Sequence, residues 1–151
     1  MPLTMKRASA TSIAVVVILS ISAWWLWAQP AKTDPASDST NSRLAVVWTS
    51  GDPEVAHRVC LMYSHAAHKQ KWFDEVVLIV WGPSARLLAA DKDLQAKIKS
   101  MMQDGMKVQA CVVCADSYGV SARLRELGLE VKAMGPPLTG MLKQGWKVLT
   151  F

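Results

Sequence analysis

The stretch that decides the fold is Glu75-Val76-Val77-Leu78-Ile79-Val80-Trp81, which leads into the turn Gly82-Pro83-Ser84. The apolar run does not alternate with polar residues, so it predicts a strand whose two faces are both covered. Such strands are typical of the interior of a parallel sheet, because crossover helices pack on both faces. A helical pattern follows the turn from Ala85 to Ala90, as a crossover of this kind requires.

Strand and helix patterns alternate along the chain from Leu44 onwards. The predicted strands are Leu44 to Trp48, Glu75 to Trp81, Met106 to Ala110, Leu129 to Ala133 and Trp146 to Phe151. The predicted helices are Pro53 to Gln70, Ala85 to Ala90, Asp91 to Gln103, Val120 to Leu127 and Pro136 to Gln144. Such alternation implies right-handed crossovers. We therefore predict a three-layer α/β domain over residues 44–151, with a mostly parallel five-stranded sheet and helices on both faces.

The N-terminal segment, residues 1–28, has the pattern of a signal anchor or transmembrane helix. Ala8 to Ala28 contains no charged residue, and as a helix this run would span about 30 Å, the thickness of a hydrocarbon core. It ends in Trp24-Trp25-Leu26-Trp27, where an interfacial aromatic belt would lie. A cleaved signal peptide is the alternative. The bulky residues before Ala28 do not form the small-residue cleavage site of such a peptide.

Charge and composition around the run predict its orientation and the character of the next segment. Lys6 and Arg7 precede the run, so the positive-inside rule keeps the N-terminus in the cytoplasm. We therefore predict a single-pass protein of the bacterial inner membrane with a periplasmic soluble domain. Cleavage would instead give a secreted or periplasmic protein. Residues 29–43 are rich in Pro, Ser, Thr and Asp, which predicts a flexible linker.

The net charge of +5 is scattered rather than clustered. Lys92, Lys97 and Lys99, for example, share one predicted helix with Asp91 and Asp93. The sequence has neither an arginine-rich run nor the basic and aromatic stripe that follows a nucleic-acid backbone. We therefore predict a solvated basic surface and no nucleic-acid partner.

The motif Cys111-Val112-Val113-Cys114 holds two of the three cysteines and lies where a predicted strand ends. Ligands and chemistry gather at the carboxyl ends of parallel strands, and N–H groups at a helix start favour a thiolate. Cys111 and Cys114 are therefore the candidate catalytic residues. The alternative is that both merely pack in the core, as we predict for Cys60. The loops expected at this edge are Thr49 to Pro53, Gly82 to Ser84, Cys111 to Tyr118 and Gly135 to Pro137.

Zinc binding is a further interpretation of the same motif. A C-x-x-C pair supplies half of a structural zinc site, and the sequence has no second pair. His65 and His68 could share one face of the first predicted helix, with His57 further back, but a complete site would need ligands from another subunit. Solvated helix histidines are the simpler interpretation. We predict no metal, and thiol exchange at these cysteines needs no organic cofactor.

Several of these pieces together resemble the DsrE/DsrF-like family of small α/β proteins. They are Val46-Val47-Trp48-Thr49-Ser50-Gly51-Asp52-Pro53, Val80-Trp81-Gly82-Pro83-Ser84, Cys111-x-x-Cys114-x-x-x-x-Gly119-Val120 and Gly145-Trp146-Lys147-Val148-Leu149. The cysteine-to-glycine spacing is the most specific, because it places the thiol at the start of the helix in which Gly119 is expected. The resemblance covers residues 44–151. It implies a flavodoxin-like or Rossmann-like fold and a homo-oligomer, a trimer or a hexamer.

For some members the resemblance also implies sulfur transfer by a cysteine that carries a persulfide. That cysteine corresponds to Cys111, whereas Cys114 is present in only part of the family. Such exchange requires an accessible thiol with a raised thiolate fraction. The expected function is therefore that of a sulfur carrier or a sulfurtransferase-like protein. Its partners would be a sulfur donor or acceptor protein, or a small sulfane-sulfur compound.

Two other functions stay open. Cys114, one helical turn after Cys111, could act as a resolving thiol, and the pair could then belong to a disulfide redox protein. The chain could also be a non-catalytic oligomeric binding module of a membrane sulfur or redox system. The N-terminal anchor sets this chain apart from the typical sulfur-relay members of the family, which are soluble cytoplasmic proteins.

Overall fold

The computed structural model describes residues 42–151. The predicted anchor, residues 1–28, and nearly all of the predicted linker lie outside the described residues. Between Ser42 and Phe151 no helix is both long enough and apolar enough to cross a membrane. The first strand begins at Arg43, the residue that the sequence pattern assigned to the end of the linker.

The domain is built on one sheet of five parallel strands. The strands are β1 (Arg43–Trp48), β2 (Glu75–Val80), β3 (Lys107–Cys111), β4 (Glu130–Lys132) and β5 (Lys147–Thr150). Their order across the sheet is β4-β3-β2-β1-β5, and every neighbouring pair is parallel. β2, the apolar run, lies in the middle of the sheet. The predicted five-stranded α/β architecture is confirmed, and the sheet is parallel throughout.

Helices connect the strands at each crossover. The first, α1, is continuous but has three segments: a turn of α-helix (Pro53–Val55), a π-helical segment (Ala56–Cys60) and an α-helix (Leu61–Lys69). The others are α2 (Pro83–Ala90), α3 (Lys92–Gln103), α4 (Val112–Ser117), α5 (Ser121–Glu126) and α6 (Gly135–Lys143). The sequence pattern predicted α1 as a regular helix and did not indicate its π-helical segment.

The two faces of the sheet are packed unequally. On the first face, alternate strand residues such as Val46 and Leu78 lie in the larger core, which contains side chains of α1, α2, α3 and α5. The second face carries a smaller apolar cluster, with the strand residues Ala45, Val47, Val77 and Ile79 against Met134 and the α6 residues Leu138 and Met141. Helices thus lie on both faces, as predicted. Along β3 and β4, however, the second face is polar.

Cys60 is a core residue, as the sequence predicted. It is fully buried in the larger core, at the end of the π-helical segment. Burial raises the pKa of the Cys60 thiol to about 12, although a hydrogen bond with Ser64 lowers it slightly. A thiol that stays neutral and out of reach of solvent packs like a small apolar side chain.

The segment after β3 corrects one expectation. Cys111 to Tyr118 was expected as a loop and Gly119 inside a helix, but the segment forms α4 and Gly119 lies beyond its end. The N–H of Gly119 donates to the carbonyl of Asp116 (2.9 Å), and the N–H of Val120 donates to that of Ala115 (2.8 Å). With a φ of +67° at Gly119, this is a Schellman motif, which needs a left-handed residue after the helix.

This placement of Gly119 predicts opposite effects for two glycine substitutions. Gly119→Ala should lower the free energy of unfolding by about 1–2 kcal/mol, because an L side chain is strained in the left-handed region. Gly140→Ala is the matched control. Gly140 lies inside α6, and a Cβ there would meet nothing within 4 Å. That substitution should raise the free energy of unfolding by about 0.5–1 kcal/mol.

Urea denaturation followed by circular dichroism measures both variants. If Gly119→Ala stabilised the protein as much as Gly140→Ala, Gly119 would behave as a residue inside a helix. That result would contradict the structure of this junction.

Candidate functional site

Hydrogen bonds tie the carboxyl ends of the strands to one another. The N–H of Trp81 donates to the carbonyl of Trp48 (2.9 Å), and the buried Ser84 hydroxyl donates to the same carbonyl (2.5 Å). The N–H and the hydroxyl of Thr49 both donate to the carbonyl of Phe151, each at 2.7 Å. The turns after β1 and β2 and the end of β5 therefore stand together at the edge where β3 also ends.

Cys111 is both the last residue of β3 and the N-cap of α4. Its backbone is extended (φ −73°, ψ 116°), as an N-cap position requires. Its side chain belongs to the cluster on the second face of the sheet, with Ile79 and Met134, and the residue is only 4% exposed. The predicted strand-to-helix junction is confirmed, and the thiol that it carries is almost buried.

Burial and nearby polar groups shift the pKa of the Cys111 thiol in opposite directions. Burial raises the pKa of the Cys111 thiol. Hydrogen bonds from the N–H groups of Cys114, Met134 and Val113, and from the Cys114 thiol, outweigh burial and hold the pKa below its ordinary value. Two of these N–H groups belong to the first turn of α4, where helix donors lack intrahelical partners. The third comes from the segment between β4 and α6. Backbone geometry therefore stabilises the Cys111 thiolate.

Cys114, one turn along α4, has the opposite properties. It is half-buried, and its burial raises the pKa of its thiol. The N–H of Gly82 lowers that pKa, but the neighbouring Cys111 raises it further. Cys111 is therefore the more acidic thiol of the pair. The sequence argument required the leading thiol to be the accessible one, whereas the structure makes the more acidic thiol the less exposed.

Apolar side chains border the thiol pair. Trp81, which follows the end of β2, packs against the same cluster as Cys111 and Cys114. Trp48, the other strand-end tryptophan, lies fully buried in the core of the opposite face and does not border the thiols. Val113, between the two cysteines, is 68% exposed. A reactant at this site therefore meets a mostly apolar rim.

A row of polar side chains lies beside Cys111, and the sequence did not indicate it. In the β3–β4 pairing, Gln109 is the register partner of Glu130 and Cys111 that of Lys132. Gln109 Nε2 donates to Glu130 Oε2 (2.6 Å), and Lys132 Nζ donates to Glu130 Oε1 (2.7 Å). We call Gln109, Glu130 and Lys132 the polar row. Alternation in each strand predicts a shared face, but only the register shows which residues meet.

The histidines on α1 make structural hydrogen bonds. The His65 ring bonds through Nε2 to Asp104 Oδ2 (2.6 Å) and through Nδ1 to Lys97 Nζ (2.9 Å). His68 Nε2 donates to the carbonyl of Asp104 (2.9 Å). The bond from His65 holds the pKa of the Asp104 carboxyl below its ordinary value. Within residues 42–151, no group of three or more His, Cys, Asp or Glu side chains is placed to hold a metal.

The whole described domain is similar to known proteins. The model of the DsrE/DsrF-like family matches residues 42–151. A conserved protein of unknown function from Bacteroides thetaiotaomicron, BT1422, is 33% identical, covers 76% of this chain and 99% of its own, and has a TM-score of 0.71. The ychN protein from E. coli shares the fold, with 17% identity over 74% of this chain and 99% of its own and a TM-score of 0.54. No curated protein matches the chain.

The electrostatics of the site predict how the cysteines react with iodoacetamide. Only a thiolate reacts, so a lowered pKa moves the midpoint of the alkylation rate of Cys111 to a pH below that of an ordinary thiol. Cys60 should stay unreactive up to strongly alkaline pH, because its pKa is about 12. Tandem mass spectrometry of peptides alkylated at graded pH measures each midpoint.

Cys114→Ala separates the contributions to the Cys111 thiolate. This variant removes the hydrogen bond from the Cys114 thiol but keeps the backbone N–H donors. The Cys111 midpoint should therefore rise above that of the unsubstituted protein. An ordinary midpoint for Cys111 in the unsubstituted protein would contradict the stabilisation of its thiolate by these donors.

Proposed function

The chain belongs to the DsrE/DsrF-like family, and from this premise we propose that it is a sulfur carrier that holds a persulfide on Cys111. Family membership supports a role in sulfur relay. The observation that carries the proposal is the placement of Cys111 at the end of β3, as the N-cap of α4 and next to Cys114 in the apolar cluster, where nearby backbone N–H groups lower the pKa of its thiol. These donors provide a thiolate, which is the nucleophile of sulfur exchange.

Loading is a nucleophilic displacement at sulfur. The Cys111 thiolate attacks the terminal sulfur of a donor persulfide, so that a bond forms between Sγ and that sulfur. The S–S bond of the donor breaks, and the donor leaves as a thiolate that takes up a proton. The exchange needs no external oxidant or organic cofactor, because one sulfur–sulfur bond replaces another. An acceptor thiolate unloads the sulfur by the same displacement.

Cys114 provides a second route for release. Its thiolate attacks Sγ of the Cys111 persulfide, hydrosulfide leaves, and a Cys111–Cys114 disulfide remains for an external thiol to reduce. The position of the two cysteines supports this route, because Cys114 lies one helical turn after Cys111 and packs in the same cluster. The same contact favours the second candidate function, a disulfide redox protein.

The cellular setting is part of the proposal. We propose that residues 8–28 anchor the protein in the inner membrane, that the thiols face the periplasm and that the domain acts as a homo-oligomer. The charge pattern of the N-terminal segment supports the first two points, and family resemblance supports the third. The donor and acceptor are then a partner protein or a small sulfane-sulfur compound.

Persulfide formation tests the proposal directly. Incubation of the full chain with inorganic polysulfide should add the mass of one sulfur atom to the peptide that contains Cys111. Cys111→Ala should abolish the adduct, because it removes the nucleophile. Cys60→Ala is the matched control and should keep the adduct, since Cys60 is buried and neutral. Mass spectrometry of the intact protein and of its peptides measures both.

Cys114→Ala should retain the adduct longer, because the resolving thiol is missing. If polysulfide, thiosulfate and protein persulfides all failed to load Cys111, the carrier function would be wrong and a non-catalytic binding module would be supported. A reversible Cys111–Cys114 disulfide without any adduct, detected by thiol trapping, would favour the redox protein.

The N-terminal segment is tested by fractionation of cells that express the full chain. The protein should be found in the membrane fraction with its N-terminus uncleaved, because the run from Ala8 to Ala28 is long enough to span the bilayer. N-terminal sequencing of the fractions measures this. A periplasmic protein that begins near Ala28 would show instead that the segment is a cleaved signal peptide.

A further inference from the structure

The polar row lies next to Cys111 and has no part in the displacement at sulfur. Lys132 is the register partner of Cys111, on a strand about 4.8 Å away. Gln109 lies two residues before Cys111 on the same face, at about 7 Å along β3. A donor molecule that brings its sulfur to Cys111 over this face therefore has the polar row within reach of its other groups.

Gln109 holds a buried acceptor that lacks a donor. The residue is only 8% exposed, and its Nε2 is committed to Glu130. Because an ionised carboxylate only accepts, the amide nitrogen must face Glu130, and Oε1 is the remaining acceptor. Within residues 42–151, Oε1 has no hydrogen-bond partner. Buried acceptors are seldom left unpaired, so this oxygen points to a donor supplied from outside the chain.

Charges of both signs are available beside that oxygen. Hydrogen bonds from Lys132 and Gln109 hold the pKa of the Glu130 carboxyl below its ordinary value, so Glu130 remains ionised. The Glu130 side chain is 58% exposed and that of Lys132 is 37% exposed. The row thus offers two acceptors, Gln109 Oε1 and the Glu130 carboxylate, followed by the ammonium of Lys132. This pattern complements a small molecule with one ammonium and one carboxylate.

We propose that the polar row recognises the α-amino and carboxylate groups of the sulfur donor, and that the donor is a small amino-acid persulfide such as cysteine persulfide. Its ammonium donates to Gln109 Oε1 and to Glu130, and its carboxylate accepts from Lys132. The inference rests on the proposed function, because it names the molecule that loads Cys111.

The transfer itself is unchanged by this assignment. The Cys111 thiolate bonds to the outer sulfur of cysteine persulfide, and the bond between the two donor sulfurs breaks. Free cysteine leaves as a thiolate and takes a proton from solvent. The polar row holds the part of the donor that becomes the leaving group. It thereby orients the S–S bond of the donor toward Cys111.

Two probes that differ in one group test the proposal on the full chain. Cysteine persulfide carries the α-amino group, whereas the persulfide of 3-mercaptopropionate lacks it. Gln109→Met removes the amide but keeps the side-chain length. It should slow loading from cysteine persulfide about tenfold, the effect of one hydrogen bond to a charged group, and leave loading from the other probe unchanged. Lys132→Met should slow both probes, since both carry a carboxylate.

Lys107→Met is the matched control. Lys107 lies on β3 and pairs with Glu75 (2.6 Å) as Lys132 pairs with Glu130, but at the opposite end of the strand. The Lys107→Met variant should be loaded from both probes at the same rate as the unsubstituted protein. Circular dichroism verifies that each variant is folded, and mass spectrometry of the Cys111 peptide follows loading over time.

Other outcomes would overturn the inference in distinguishable ways. If Gln109→Met slowed loading from both probes equally, Gln109 would support the position of Cys111 and would not bind the amino group. No effect on either probe would mean that Gln109 does not bind the donor. If neither probe nor polysulfide loaded the unsubstituted protein, the carrier function itself would be wrong.

Discussion

The structure depends on the burial of β2 on both of its faces. Val76 to Val80 are each at most 3% exposed. At about 1.5–3 kcal/mol for each buried aliphatic side chain, this one strand contributes about as much free energy as the net stability of a whole domain. Burial on both faces requires strands on either side and helices above and below. Helical crossovers then run every strand in the same direction, so all carboxyl ends meet at one edge.

The chemistry of that edge depends on how β3 ends. No loop separates the strand from α4, so Cys111 serves as the N-cap and lies beside the first helical turn. Cys60 is also buried but lacks the backbone donors that Cys111 has. Burial raises the pKa of Cys60 to about 12, whereas backbone donors and the Cys114 thiol bring that of Cys111 below its ordinary value. Nearby hydrogen-bond donors, rather than a neighbouring cation, therefore lower the pKa of Cys111.

The sequence predicted those features that depend on local pattern. The apolar runs located the strands, and the position of Cys111 at a strand end followed from the run before it. Local pattern did not show that α4 starts immediately and stops before Gly119, because a single helical turn leaves little periodicity to detect. The relative exposure of Cys111 and Cys114 depends on packing by Met134 and Gly82, which are distant in sequence. The polar row depends on the β3–β4 register, which a single sequence does not show.

The same N–H groups bear on how the thiol would stay reduced in the periplasm, the compartment that we propose for the domain. A Cys111–Cys114 disulfide carries no charge, so its formation forfeits the stabilisation that the donors give to the thiolate. Stabilisation of the reduced form makes the disulfide more oxidising and easier to reduce. Low exposure also limits contact between Cys111 and small oxidants. Burial and the backbone N–H groups thus favour sulfur exchange with a bound persulfide. They disfavour reaction of Cys111 with small oxidants in solution.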